Sequence, residues 1–239
     1  MSITLKKVKL QYMFKNKIGR YLLYAIGEIV LVVIGILLAL NINNNNEARK
    51  ENNEYLRILN NIRFDLIKDT LSISKAIPYY ESRATLAKRI VNDELSENDY
   101  KSCIFCASML AFEFPILLNK KGSILLSNLN LSISQNDSLA FNILGFYKEN
   151  EINFEPTRIE VGKNVMENIK HWRNNYPWFS KVISGKGDPK FIDYITNDPD
   201  FKNRVAYFKV MISDNYIKKL NDYNEQAKKL IEDIDDRLL

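Results

Sequence analysis

The chain has 239 residues, enough for one domain with a buried core beside any membrane segment, and carries 34 basic against 29 acidic side chains at a pI of about 9.0. That basicity is local: six of the basic residues fall in the first twenty positions, which hold no acid, and the rest balances 28 positive against 29 negative. A nucleic-acid partner needs a basic face to displace counterions from phosphates, and so near-neutral a remainder excludes one.

Residues 1–20 contain Lys6, Lys7, Lys9, Lys15, Lys17 and Arg20. The following stretch, Tyr21 to Leu40, reads YLLYAIGEIVLVVIGILLAL, with Glu28 its one charged residue. At about 1.5 Å per residue it spans roughly 30 Å as a helix, the thickness of a bilayer's hydrocarbon core. Lys and Arg flanking such a helix stay on the cytoplasmic side. The expected organisation is therefore a basic cytoplasmic tail over 1–20, a transmembrane helix over 21–40 and an exported domain over 41–239. A cleaved leader would want an apolar run of about 7–15 residues and small residues before the cut. This run is longer, and Leu37 occupies the −3 place relative to Ala39. An uncleaved signal-anchor is expected.

Residues placed at 100° intervals put Tyr24, Gly27, Glu28, Leu31, Gly35 and Ala39 on one arc of the helix, opposite an aliphatic arc of Leu22, Ile26, Ile29, Val33, Ile36 and Leu40. Small residues let helix backbones approach closely in lipid. A carboxyl inside the apolar zone costs several kcal/mol unless it is protonated, paired or turned toward a partner. Glu28 on the glycine arc thus points to a helix–helix contact, with a homo-oligomer or another membrane protein as partner. The competing reading has Glu28 reaching back toward the cytoplasmic headgroups.

The run KIGRYLLYAIGEIVLVVIGILLALNINNNNE, residues 17–47, resembles the N-terminal signature of an uncharacterised family of single-pass inner-membrane proteins from Bacteroidota-type bacteria. The matching pieces are Tyr21 to Glu28, Ile34 to Leu40 and Asn43 to Glu47, and weaker similarity covers Lys121 to Asn128 with Phe146-Tyr147. Asn45 stands where the family's pattern has Trp. The resemblance implies an inner-membrane location, a periplasmic helical domain of unknown activity and no catalytic residues to carry over.

Past the polar collar Asn43–Asn46, eight glycines and six prolines in the whole chain are too few for the frequent turns of an all-β domain. A helix is expected from Glu47, with Tyr55, Leu59, Ile62, Leu66 and Ile73 on its buried side, ending before Pro78 because proline disfavours helix at the preceding residue. A second helix covers Tyr80 to Asp93. Ser96 and Asp99 form a capping-box start for a third, reaching about Phe114. Asp137 or Ser138 caps a helix through Tyr147, another starts at Pro156 and runs to 174, and a loop holding Gly185-Lys-Gly187 follows. Asp198-Pro199 is an N-cap with proline at the first helical position. Phe201, Val205, Phe208, Ile212, Tyr216, Leu220, Tyr223, Ala227, Leu230 and Ile234 then recur at three or four, predicting a helix of nearly forty residues, about 60 Å. Its natural antiparallel partner is the helix leaving the membrane. The expected fold is all-α, one transmembrane helix followed by an elongated periplasmic helical bundle whose C-terminus returns toward the bilayer.

Candidate chemistry is sparse. Cys103 and Cys106 are either two small apolar residues on a buried helix face or a local disulfide; haem attachment would need His where Ala107 stands, and no further zinc ligands are spaced for a structural site. The single histidine, His171, sits among Trp172, Tyr176 and Trp178. That cluster is either a partner or ligand patch or a helix end stapled onto the bundle by large rings. Glycine-rich phosphate loops and paired acid/base carboxylates do not stand out. The sequence therefore predicts no enzyme, catalytic residue, metal site or cofactor. It predicts a membrane-anchored interaction module whose partners are the bilayer and a protein, with a periplasmic small-ligand sensor resembling helical-bundle sensors as the alternative.

Overall fold

A computed structural model describes residues 17–103, 105–129 and 137–239, so Lys6, Lys7, Lys9 and Lys15 lie outside the described residues. Every described element is helical. Helix α1 is Lys17–Val91, followed by α2 (Glu97–Ser102), α3 (Phe105–Ala111), α4 (Lys121–Asn128), α5 (Ser138–Asn175), α6 (Phe179–Ile183), α7 (Pro189–Asn197), α8 (Pro199–Met211), a π-helical segment (Ile212–Tyr216) and α9 (Ile217–Leu238). The chain divides between Glu54 and Tyr55 into two compact units.

The first unit holds the apolar part of α1. This is one helix long and apolar enough to cross a membrane, with a mean hydropathy of 2.6 over its best window and none of that window buried. The polar collar is itself helical, and two of its amides bond along the helix: Asn45 Nδ2 donates to Asn41 Oδ1 at 2.7 Å and Asn43 Nδ2 to Glu47 Oε1 at 3.1 Å.

The second unit is a helical bundle. Pro78 does not end the first helix; the two helices expected on either side of it are one, and Pro156 likewise lies inside α5 rather than starting a helix. A proline removes one N–H and crowds the carbonyl four residues back. Both prolines face solvent, where a freed carbonyl can be hydrated at little cost. Burial on both sides then decides: Ile73, Ala76, Tyr80 and Ala87 share the inner face around Pro78, and Phe154, Thr157 and Val161 do so around Pro156. Near the second proline Lys219 Nζ also donates to the Asn153 carbonyl and to Thr157 Oγ1, both at 2.6 Å. Helix α1 stops at a Schellman turn, with Asp93 at φ 57°, its N–H on the Ile90 carbonyl and the Glu94 N–H on that of Arg89.

The capping box at Ser96 and Asp99 is present, but the helix it starts is shorter than expected. It ends at Ser102, whose hydroxyl bonds back to the Asn98 and Asp99 carbonyls and so competes with the backbone. Cys103 is extended, and α3 follows as a separate helix. Gly122 opens α4 where any side chain would collide: a Cβ there falls 2.5 Å from Ile62 Cγ1 and 3.1 Å from the Ile62 Cα. Of the two caps expected, Asp137 is the one that caps α5, through the Leu139 N–H at 2.9 Å, and its carboxylate also meets Arg237 of α9 at 2.8 Å.

The C-terminal stripe is buried at all ten expected positions. It pairs antiparallel with residues 55–91 of α1: Tyr216 stacks edge-on against Tyr80, Tyr223 Oη donates to Asp69 Oδ2 at 2.9 Å, and Asp235 pairs with Arg63. Three consecutive four-residue steps, Phe208–Ile212–Tyr216–Leu220, would rotate the stripe away from the core in an α-helix. The π-helical segment accommodates the excess, with the Ile217 N–H bonded to the Ile212 carbonyl five residues back. Both halves of the stripe therefore keep facing α1.

Candidate functional site

The aromatic cluster is built where α5 ends against α7 and α8. Asp188-Pro189 and Asp198-Pro199 start those two helices with the same device, the aspartate side chain accepting from the N–H two residues on. The second cap places Asp200 in the first turn of α8, beneath the last turn of α5. Its Oδ2 receives Tyr194 Oη at 2.7 Å and Arg204 Nε at 2.9 Å, and His171 Nε2 lies 3.1 Å away. Trp172 Nε1 donates to Tyr194 Oη at 2.8 Å. Arg204 continues the network to Asn168 Oδ1 at 2.8 Å, and Asn168 Nδ2 reaches the Leu110 carbonyl of α3 at 3.1 Å.

His171 Nδ1 faces the Asn175 amide nitrogen, a donor, at 3.3 Å. The neutral tautomer that satisfies both contacts carries its ring proton on Nε2 and donates it to Asp200. Burial pushes the Asp200 carboxyl up, but the hydrogen bonds from Arg204 and Tyr194 and the Arg204 charge outweigh it and hold the group below the usual carboxylate range. Burial also raises the Tyr194 hydroxyl far above its ordinary value, so it serves as a neutral donor and acceptor. Both nitrogens of His171 are thus engaged by Asp200 and Asn175. The arrangement fastens three helices together through one carboxylate.

Of the four residues singled out in the sequence, Trp172 and Trp178 are buried, each 3 % exposed, and present no open face. Their rings pack with each other and with Tyr176, Tyr194 and Phe191 at centroid separations of 5.0 to 6.3 Å. Of the four, only His171 and Tyr176 are partly exposed, and the rings pack as in the reading of a helix end stapled onto the bundle. Sequence reading missed Tyr194, Asp200 and Arg204. The Asp200–Arg204 spacing of four on a helix with a recognisable start is the signal that was available.

A second polar knot lies deeper. Asp69 is fully buried and accepts from the Asn119 N–H, from Asn119 Nδ2 at 2.6 Å and from Tyr223 Oη. Burial pushes its carboxyl above the usual range, more than those hydrogen bonds pull it down, and Asp65 adds to the rise. Among the described residues no group of three or more His, Cys, Asp or Glu is placed to hold a metal ion.

The six residues of the arc singled out on the membrane-length helix, Tyr24, Gly27, Glu28, Leu31, Gly35 and Ala39, are all exposed in the single chain. A Cβ built on Gly27 or Gly35 meets nothing within 4 Å. Cys103 and Cys106 form a disulfide with their Cα atoms 5.4 Å apart, which settles the two readings left open for them.

These features define an all-α chain with one membrane-length helix and a helical bundle. A family of unknown function (DUF6090) matches it over residues 28–109, about a third of the chain, which fits the uncharacterised family that the sequence resembles. The match takes in Glu28 to Glu47 of the quoted N-terminal run and ends before Lys121. No curated protein and no solved structure matches the chain.

Proposed function

We propose that the chain is a single-pass inner-membrane protein with its N-terminus in the cytoplasm and residues 41–239 in the periplasm, working as an interaction module that associates through its transmembrane helix with a second copy or another membrane protein. The observation that carries this reading is the arc of Tyr24, Gly27, Glu28, Leu31, Gly35 and Ala39, where two glycines leave open space and a carboxyl shares their side of the helix. In lipid, close packing and side-chain hydrogen bonds drive such association, because water exclusion cannot. The basic residues Lys17 and Arg20 beside the apolar segment support the orientation. Exposed apolar residues spaced along α5, Phe141, Ile152, Ile159 and Met166, supply further surface for a partner.

The test is crosslinking of the full chain in native membranes. Glu28→Gln retains the hydrogen bond and leaves the crosslinked species, whereas Glu28→Leu, and Gly27→Ile with Gly35→Ile, reduce it about fivefold or more, the factor given by about 1 kcal/mol of lost interhelical contact. Equal yields from all of these variants would end the proposal. Protease added outside spheroplasts is expected to remove residues 41–239, and protection of that part overturns the orientation.

A further inference from the structure

A groove of about 1140 Å³ runs between α2 and α7, and Cys103 forms part of its wall. Tyr100, Phe191, Ile192 and Ile195 give it apolar lining, and Lys101, Lys186 and Asp193 contribute polar groups. The two cysteines of the disulfide are unequal: Cys103 is partly exposed, while Cys106 is fully buried. A bridge between residues three apart closes a loop too short to constrain much of the unfolded chain, so as a staple it contributes little. A disulfide whose partly exposed cysteine lines a groove with apolar residues is instead arranged for exchange with a thiol delivered along that groove.

We infer that Cys103–Cys106 is an exchangeable disulfide that accepts two electrons from a dithiol polypeptide, an extended segment with apolar residues flanking its cysteines that docks between α2 and α7. The groove's volume and the apolar part of its lining suit such a segment better than a small thiol, which would use little of the space. The first thiolate of the segment attacks Cys103 Sγ. The Cys103–Cys106 bond breaks, a mixed disulfide forms on Cys103, and Cys106 leaves as a thiolate that takes up a proton. The segment's second thiolate then attacks its own sulfur in the mixed disulfide, closing the segment's disulfide and releasing Cys103 as a thiolate. Two thiols of the segment are oxidised and the two cysteines of the chain are reduced. This inference is independent of association through the transmembrane helix.

The experiment uses the full chain in nanodiscs and two synthetic peptides with the same pair of cysteines, one flanked by Leu and Phe, the other by Ser and Gly. The oxidised protein is expected to oxidise the apolar peptide at least tenfold faster than the polar one. Cys106→Ser, offered a single-cysteine apolar peptide activated as its thionitrobenzoate disulfide, is expected to release thionitrobenzoate and carry the peptide on Cys103. Cys103→Ser is expected to react at least tenfold more slowly, because Cys106 is buried. If a serine variant fails to fold, the comparison of the two peptides on the unaltered chain decides alone. Equal rates for the two peptides, or a disulfide that yields to the apolar peptide only after the bundle is unfolded, overturns the inference and leaves a structural bridge.

Discussion

Trp172→Ala is expected to lower the thermal midpoint of the helical bundle by about 10 °C, the largest single-residue effect that the aromatic junction predicts. Truncating a buried tryptophan costs about 3–5 kcal/mol through lost burial and the cavity left behind. In a domain of this size each kcal/mol moves the midpoint by about 2–4 °C. The loss is compounded because Trp172 Nε1 is the donor to Tyr194 Oη, which itself donates to Asp200. Trp172→Phe keeps most of the ring and gives up that hydrogen bond, so it should recover more than half of the loss. Differential scanning calorimetry on the two variants checks the order. A Trp172→Ala midpoint within about 3 °C of the parent would place Trp172 outside the core and restore a ligand-facing role for it.

Asp69→Ala should cost about 3 kcal/mol, since it strips an acceptor from the Tyr223 hydroxyl and from both donors of Asn119 in a buried place. The pH dependence separates this role from a merely steric one. The folded-state pKa of Asp69 lies above its unfolded value, so the folded chain binds that proton more tightly. Its contribution is therefore largest at low pH and falls as pH rises through the interval between the ordinary aspartate value and the raised one. Asp69→Asn removes the titration while conserving shape. The difference in midpoint between parent and Asp69→Asn is expected to move in the parent's favour as pH is lowered from about 7 to about 4. Subtracting the variant removes the opposite trend of carboxylates such as Asp200 and Asp188, whose lowered values make stability fall in acid. A difference that stays flat, or moves the other way, would mean that Asp69 is not titrating as a buried acid.

What could be read from the sequence follows from how local each signal is. Caps depend on residues within one turn, and Ser96 with Asp99, Asp137, and Asp198 with Pro199 all appear as expected. The stripe from Phe201 to Ile234 was legible because a long run of buried positions is self-consistent over many turns. Pro78 and Pro156 misled because the local cost of proline is outweighed by burial on either side, which no window around the proline contains. The junction at Asp200 was half visible. His171 and its aromatic neighbours are contiguous in the chain, but the carboxylate that gathers them is 29 residues away from His171 and on another helix. Its environment exists only after α5 and α8 meet. The state of Cys103 and Cys106 was undetermined for a related reason: a spacing of three permits a bridge or two thiols on a helix, and the break between α2 and α3 is a property of the folded chain.

The π-helical segment gives the C-terminal helix a tolerance that its neighbours lack. Between Ile212 and Tyr216 the chain carries one residue more than an α-helical turn would hold, and Asp214 within it is exposed. Excising Asp214 should let the backbone relax to ordinary α-helix with Leu220 and Tyr223 still aimed inward, so the bundle should melt cooperatively. The same excision at Glu225 would turn every later side chain by about 100°, swinging Ala227, Leu230 and Ile234 out into water. Chain length is thus negotiable at one turn of this rod and nowhere beside it.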